Sequence, residues 1–162
     1  MAFGLAACKG GTSRSTGKPA TSPTPAAVSS SAQVVKAFGH IIPSSSPAGS
    51  VELNISPGFH INANPATFPY LIATEVQPGK IDGVTVGKIN YPRGVLKKFE
   101  FAEQPLSVYE DRVMISIPFT VTKPSTTKRL LPIKVRVQAC DQEKCFPPAM
   151  LDTSLPVDEP AK

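Results

Sequence analysis

Two cysteines near the end of the chain, Cys140 and Cys145, have a spacing that allows them to act together chemically. They lie in the segment QACDQEKCFPP at positions 138–148, where four polar residues between them can turn the chain back on itself. Such a pair can form a structural disulfide, supply two ligands of a metal site, or act as a dithiol that exchanges disulfide bonds with other proteins.

The spacing does not separate a structural disulfide from a working dithiol. Closing a loop of about six residues stabilises a protein by only about 2 kcal/mol, so a bridge here would add little stability. Exchange needs an accessible thiolate and a second cysteine that resolves the mixed disulfide, and this pair supplies both sulfurs in one loop. Both interpretations stay open at this point.

A metal site is not expected. Structural zinc commonly has four cysteine or histidine ligands. Besides the two cysteines, the folded region offers only His40 and His60, which are far apart in sequence. The sequence therefore predicts neither a metal nor another cofactor.

The composition favours short strands over helices. Among 162 residues there are 18 prolines and no tryptophan, and proline disrupts helix interiors because it lacks a backbone donor. The formal net charge is +5, but the basic residues are scattered rather than clustered, which argues against nucleic-acid binding. No run approaches the roughly 18 apolar residues that a membrane-spanning helix requires.

The first eight residues, MAFGLAAC, resemble the end of a bacterial lipoprotein signal. Cys8 stands where the acylated cysteine of such signals stands, although only seven residues precede it and none is basic. We expect residues 1–8 to be a lipoprotein signal remnant with Cys8 as the lipid-attachment site; the alternative is a free thiol on a disordered tail. The Ser-, Thr-, Pro- and Gly-rich residues 9–31 are expected to be a flexible linker, and residues 32–162 the folded domain.

Hydrophobic and polar residues alternate along the folded region. The alternation is clearest at 51–55, 113–121 and 133–139, and further candidates are 33–39, 70–77, 84–90 and 94–101. Because alternate side chains of a strand share one face, each segment should bury one face and expose the other. Seven or more such strands predict an all-β fold, an immunoglobulin-like antiparallel β-sandwich with a disordered N-terminal tail.

The segment VRVQACDQEKCFPP at 135–148 resembles the end of the N-terminal periplasmic domain of the disulfide interchange reductase DsbD. In that family a strand runs into a glutamine, a small residue, a cysteine, a short polar loop, a second cysteine and an aromatic-Pro-Pro. Three other segments are similar to parts of the same domain: PGFHINANP at 57–65, INYP at 89–92 and VYEDRVMISIPFTV at 108–121. The resemblance covers residues 33–157.

The resemblance implies a domain that relays electrons. It would take them from a membrane thiol reductase or a thioredoxin-like donor and pass them to oxidised periplasmic thiol proteins. Cys145 would attack, or be attacked, in mixed disulfides, and Cys140 would resolve them. These roles are expectations from the family and do not follow from the spacing.

The resemblance also implies a mobile cap loop whose aromatic residue shields the cysteine pair until a partner docks. The corresponding stretch here is KKFEFAEQP at 97–105. Phe99 and Phe101 are the candidate cap aromatics and Glu100 is a nearby carboxylate. We predict Phe101 as the cap residue, the alternative being an ordinary core phenylalanine that alternates with Phe99.

The chain departs from the reductase in having no membrane helices, no thioredoxin-like domain and no C-x-x-C motif. The expectation is therefore a monomeric domain that acts alone in the periplasm, is tethered to the membrane through Cys8, and borrows electrons from separate proteins. The alternative is a non-catalytic immunoglobulin-like interaction module with a structural disulfide. His60, in GFHINA, is expected to be polar structure at a turn; the alternative is that it forms part of the pocket.

Overall fold

The computed structural model describes residue 1 and residues 27–42, 48–123 and 125–157. The regular elements of these ranges are a 3₁₀ helix, Ser31–Gln33, and the strands β1 (Val35–Ile42), β2 (Ala48–Ile55), β3 (His60–Asn62), β4 (Glu75–Pro78), β5 (Val84–Val86), β6 (Val95–Lys97), β7 (Leu106–Tyr109), β8 (Arg112–Val121), β9 (Leu130–Val137), β10 (Ala139–Cys140) and β11 (Ala149–Pro156). Within the described ranges no helix is long and apolar enough to cross a membrane. Cys8 and most of the predicted linker lie outside these ranges.

The strands form three sheets, and every pairing is antiparallel. The strand orders are β1-β2-β8-β5, β10-β3-β7-β6 and β11-β9-β4. Strand β11 passes close to β1 and β2. A Cβ atom at Gly39 would lie 2.1 Å from the Ser154 carbonyl oxygen, and one at Gly49 would lie 2.2 Å from the Leu155 side chain. Glycine at both positions lets the two sheets approach this closely.

The two best-patterned strands, β8 and β9, bury one face each, as the alternation predicts. Their inward residues are all buried: Val113, Ile115, Ile117, Phe119, Leu131, Ile133, Val135 and Val137. One hydrophobic cluster joins these residues to side chains of all three sheets. Burying a side chain of this size contributes about 1.5–3 kcal/mol, so this shared core is the main source of stability. The predicted antiparallel β-sandwich of immunoglobulin-like type is confirmed.

The strand boundaries differ from those that the sequence predicts. The candidates at 70–77, 84–90 and 94–101 shorten to β4, β5 and β6. Before β4 the chain turns, since the Leu71 amide donates to the Phe68 carbonyl. Strands β3, β7 and β11 were not predicted, because two are too short to show a period and the third carries half-buried polar residues.

Candidate functional site

Cys140 and Cys145 form a disulfide at the end of β10. Their Sγ atoms are 1.95 Å apart and their Cα atoms 3.9 Å apart. The two residues face each other as an antiparallel bridge. On one side of the pair the Phe146 amide donates to the Ala139 carbonyl (2.8 Å). On the other side the Asp141 amide donates to the Lys144 carbonyl (2.9 Å). The pair therefore occupies a non-hydrogen-bonded position of a tight hairpin, where facing side chains lie closest.

Asp141 fixes the loop between the cysteines. Its Oδ1 atom accepts hydrogen bonds from the amides of Glu143 (2.9 Å) and Lys144 (2.8 Å). The pKa of Asp141 is lowered: desolvation is the largest single effect and raises the pKa, but these backbone amides and the Lys144 charge together outweigh it. A carboxylate is thus held next to Cys140, where it disfavours a second negative charge.

The two sulfur-bearing residues differ in exposure. Cys140 is 1% exposed, whereas Cys145 is only half-buried. Disulfide exchange depends on access to the sulfur that is attacked. The exposure therefore favours Cys145 as the sulfur that a partner reaches and Cys140 as the resolving sulfur; these roles stay predictions.

Ser31, a residue that sequence reasoning did not assign to the site, connects both ends of the cysteine hairpin. Its hydroxyl accepts from the Ala139 amide (2.8 Å) and donates to the Pro147 carbonyl (2.8 Å). Ser31 begins the 3₁₀ helix, whose start has a capping box formed by Ser30 and Gln33. That S-x-x-Q spacing was the available sequence signal.

Phe146 fixes the other side of the hairpin. Its side chain is buried and its ring centroid lies 5.7 Å from that of Phe59. The Lys144 ammonium lies over the same ring, 5.6 Å from its centroid. The Phe-Pro-Pro that follows the second cysteine therefore begins with an anchor in the fold.

His60 lies directly opposite Cys140, because β3 pairs with β10 in that register. It is 1% exposed, and neither ring nitrogen has a hydrogen-bond partner among the described residues. The ring stacks on Phe99, with centroids 4.0 Å apart and planes 22° apart. His60 is thus a strand residue beside the disulfide, which agrees with the alternative of a place in the pocket and not with polar structure at a turn.

Burial dominates the protonation of His60. The pKa of His60 is lowered from 6.5 to about 4; desolvation is the largest cause, the charge of Lys97 also lowers the pKa, and the charges of Glu110 and Asp141 raise it. Lys97 and Glu110 also form an ion pair with each other. The imidazole is therefore neutral at pH 7.

The segment 97–105 connects β6 to β7 and places its two phenylalanines differently. Phe99 is 2% exposed and packs in a small cluster with Ala102, Leu106 and Val108. Phe101 is 42% exposed, with its ring 5.4 Å from that of Phe99. The side chain that covers His60 is Phe99, so the geometry favours Phe99 as the covering aromatic over Phe101. Glu100 lies on the exposed part of the segment.

Metal-ligating side chains do not cluster in the described ranges. No group of three or more His, Cys, Asp or Glu residues there could hold a metal ion.

A model of the family "Thiol:disulfide interchange protein DsbD, N-terminal" matches residues 30–155. The chain belongs to this family. The N-terminal domain of DsbD from Neisseria meningitidis, solved in the reduced form, shares the fold with a TM-score of 0.52 and 13% identity, over 78% of this chain and 88% of that chain. The N-terminal periplasmic domain of ScsB from Proteus mirabilis gives a TM-score of 0.46 and 16% identity, over 76% of this chain and 44% of that chain. A search of curated proteins finds no match.

Membership of the DsbD N-terminal family confirms the resemblance seen in the cysteine segment. This is a thiol–disulfide interchange domain, and the Cys140–Cys145 disulfide fits a redox pair. Its partners are, in general terms, proteins that exchange thiols and disulfides. The family also explains why a short disulfide that stabilises little lies at the end of a strand.

Removing Phe99 is expected to expose the site. With Phe99→Ala, reduction of the disulfide by dithiothreitol should become about tenfold faster, because the ring that covers His60 on the strand opposite Cys140 is gone. Phe101→Ala is the matched control and should change the rate by less than about twofold. Rates are measured by alkylation of freed thiols, with circular dichroism to verify folding. If Phe101→Ala increased the reduction rate more than Phe99→Ala, Phe101 would be the covering residue and the assignment to Phe99 would be wrong.

Proposed function

We propose that this domain relays reducing equivalents between periplasmic thiol proteins through Cys140 and Cys145. The observation that carries the proposal is the unequal exposure of the two sulfur-bearing residues in a hairpin that the fold holds in place. A relay needs one sulfur that partners reach and one that is protected until it resolves the mixed disulfide. The donor is a thioredoxin-like protein or a membrane thiol reductase. The acceptors are oxidised periplasmic thiol proteins, those of cytochrome maturation among them.

The relay consists of two exchanges. A donor thiolate attacks the Cys145 sulfur, and Cys140 leaves as a thiolate and takes up a proton. The second donor thiol then displaces Cys145, which leaves the donor oxidised and the domain reduced by two electrons and two protons. Reduced Cys145 next attacks the disulfide of an acceptor, and Cys140 displaces the acceptor thiol. The original disulfide reforms and the acceptor carries the two electrons.

The exchange is tested with purified proteins. The oxidised domain is mixed with a reduced thioredoxin-like donor, and free thiols are counted over time by alkylation and mass spectrometry. We expect reduction at least about tenfold faster than by glutathione at the same thiol concentration. A donor that is no faster than glutathione would contradict the relay and favour an interaction module with a structural bridge.

We propose that this domain works in the periplasm, as a monomer held to the membrane by a lipid on Cys8. Membership of the DsbD N-terminal family supports this location. The sequence LAAC supports this attachment. The mass of the protein purified from membranes tests it, since an acyl group on Cys8 is expected and an unmodified Cys8 would contradict the anchor.

A further inference from the structure

Three residues form a row across the strands that carry the site. His60 on β3 faces Cys140 on β10, and facing residues of an antiparallel pair have Cβ atoms about 4.5–5.5 Å apart with side chains on one face. The β3–β7 pairing ends at Ile61 and Tyr109. Continuing that register by one residue places Glu110 opposite His60. The row therefore reads Cys140, His60, Glu110.

The stability of the fold does not explain why a histidine stands at the centre of this row. It is 1% exposed, and both Nδ1 and Nε2 have no hydrogen-bond partner among the described residues. Burying polar atoms without partners destabilises a fold, so a hydrophobic residue would suit the position better. A neutral imidazole with a free nitrogen is, however, a proton acceptor. When the disulfide is reduced, the Cys140 thiol beside it is a proton donor.

We propose that His60 is the proton-transfer residue of the cysteine pair and accepts the proton of the Cys140 thiol when that sulfur attacks a mixed disulfide at Cys145. This inference rests on the proposed relay and adds a residue to its second step. The Cys140 S–H proton moves to the imidazole as the Cys140–Cys145 bond forms. The bond between Cys145 and the acceptor sulfur breaks, and the acceptor leaves as a thiolate with the electron pair. The imidazolium then returns the proton to that thiolate or to water.

The charges around His60 suit this role. Glu110 from the end of β7 and Asp141 from the cysteine loop favour the imidazolium, whereas Lys97 from β6 opposes it and is itself paired with Glu110. Burial under Phe99 lowers the pKa of His60 to about 4 and keeps the ring neutral while the site is covered. Movement of Phe99 away from the ring would return water to it and make the imidazole a stronger base.

The test resolves the reaction of Cys145 and the reaction of Cys140 as two kinetic phases. The fully reduced domain is mixed with excess 5,5′-dithiobis(2-nitrobenzoic acid), and release of the yellow thiolate is followed by stopped flow. The first phase reports attack by Cys145, and the second reports displacement by Cys140. We expect His60→Gln to slow the second phase at least about tenfold and to leave the first phase unchanged.

The pH profile distinguishes proton transfer from a structural role. In the natural protein the second phase should have levelled off by about pH 6.5, because His60 is already neutral there; in His60→Gln it should keep rising toward the ordinary thiol pKa of about 8.5. His60→Phe, which fills the same space without nitrogens, should behave like His60→Gln. His40→Gln is the control, because His40 lies exposed on β1 beside Glu52.

Three outcomes would overturn the inference. An unchanged second phase in both variants at His60 would exclude the histidine from the step. If the variants at His60 slowed the second phase equally at every pH, the role of His60 would be structural. If the natural protein releases only one thiolate, the relay itself fails and the role of His60 fails with it, so the two failures are distinguishable.

Discussion

Replacing Cys145 with serine is expected to lower the rate of disulfide exchange by more than about 10³-fold, because a serine hydroxyl cannot replace a thiolate as the nucleophile. Cys140 cannot substitute for it, since that residue is only 1% exposed. Cys140→Ser should instead keep the first attack and stop there. It should accumulate a mixed disulfide between Cys145 and the partner, visible as a band on non-reducing gels and as a combined mass.

The control for these variants is the double replacement of both cysteines by serine. A loop of about six residues contributes only about 2 kcal/mol as a bridge, so the double variant should stay folded. If the bridge were only structural, the double variant would lose stability and keep partner binding in its folded fraction. A mixed disulfide that accumulates in Cys145→Ser and not in Cys140→Ser would reverse the assigned roles.

Lowering the pH from 6.5 to 4 is expected to destabilise the domain through His60. In the unfolded chain the histidine takes up a proton below about pH 6.5, whereas burial holds its pKa at about 4 in the folded domain. Between these values the unfolded state binds more protons, so stability rises with pH and falls on acidification. The loss is about 3 kcal/mol at pH 4, where it is nearly complete, and it becomes negligible above about pH 7.

Urea unfolding at pH 7 and pH 4 measures this effect. His60→Phe should remove most of the difference between the two pH values and should be about 1 kcal/mol more stable at pH 7, because two unpartnered nitrogens are gone. Asp141 adds only a small loss at pH 4, because its pKa is lowered in the folded domain and an unfolded aspartate, with a pKa of about 3.9, is only partly protonated there. His40→Gln should keep the dependence of the natural protein. A His60→Phe protein with an unchanged difference would show that another group causes it.

The strands with a clear alternation could be predicted from the sequence, whereas the short strands of the site, β3 and β10, could not. In β8 and β9, apolar side chains at every second position indicate which face is buried. β3 and β10 contain three and two residues and are defined by their pairing with each other. That pairing joins positions 80 residues apart, and no local period records it.

The sequence indicated which cysteines form the site, but it did not indicate which residues surround them. The spacing and the Phe-Pro-Pro of the cysteine segment indicated the pair, and the family match agrees. Ser31 reaches the hairpin across 108 residues, so only the fold reveals it. The choice between Phe99 and Phe101 likewise depended on which ring the β6–β7 connection turns inward, and the sequence motif is nearly symmetric about Glu100.

The measurement that tests the central claim most directly is the reduction potential of the Cys140–Cys145 pair, obtained by equilibration with thioredoxin-like proteins of known potential. A working relay must be reducible by its donors, so we expect a value between about −180 and −270 mV, the range spanned by protein disulfide isomerase and thioredoxin. A value well below about −300 mV, typical of structural disulfides, together with no exchange with any donor, would contradict the relay.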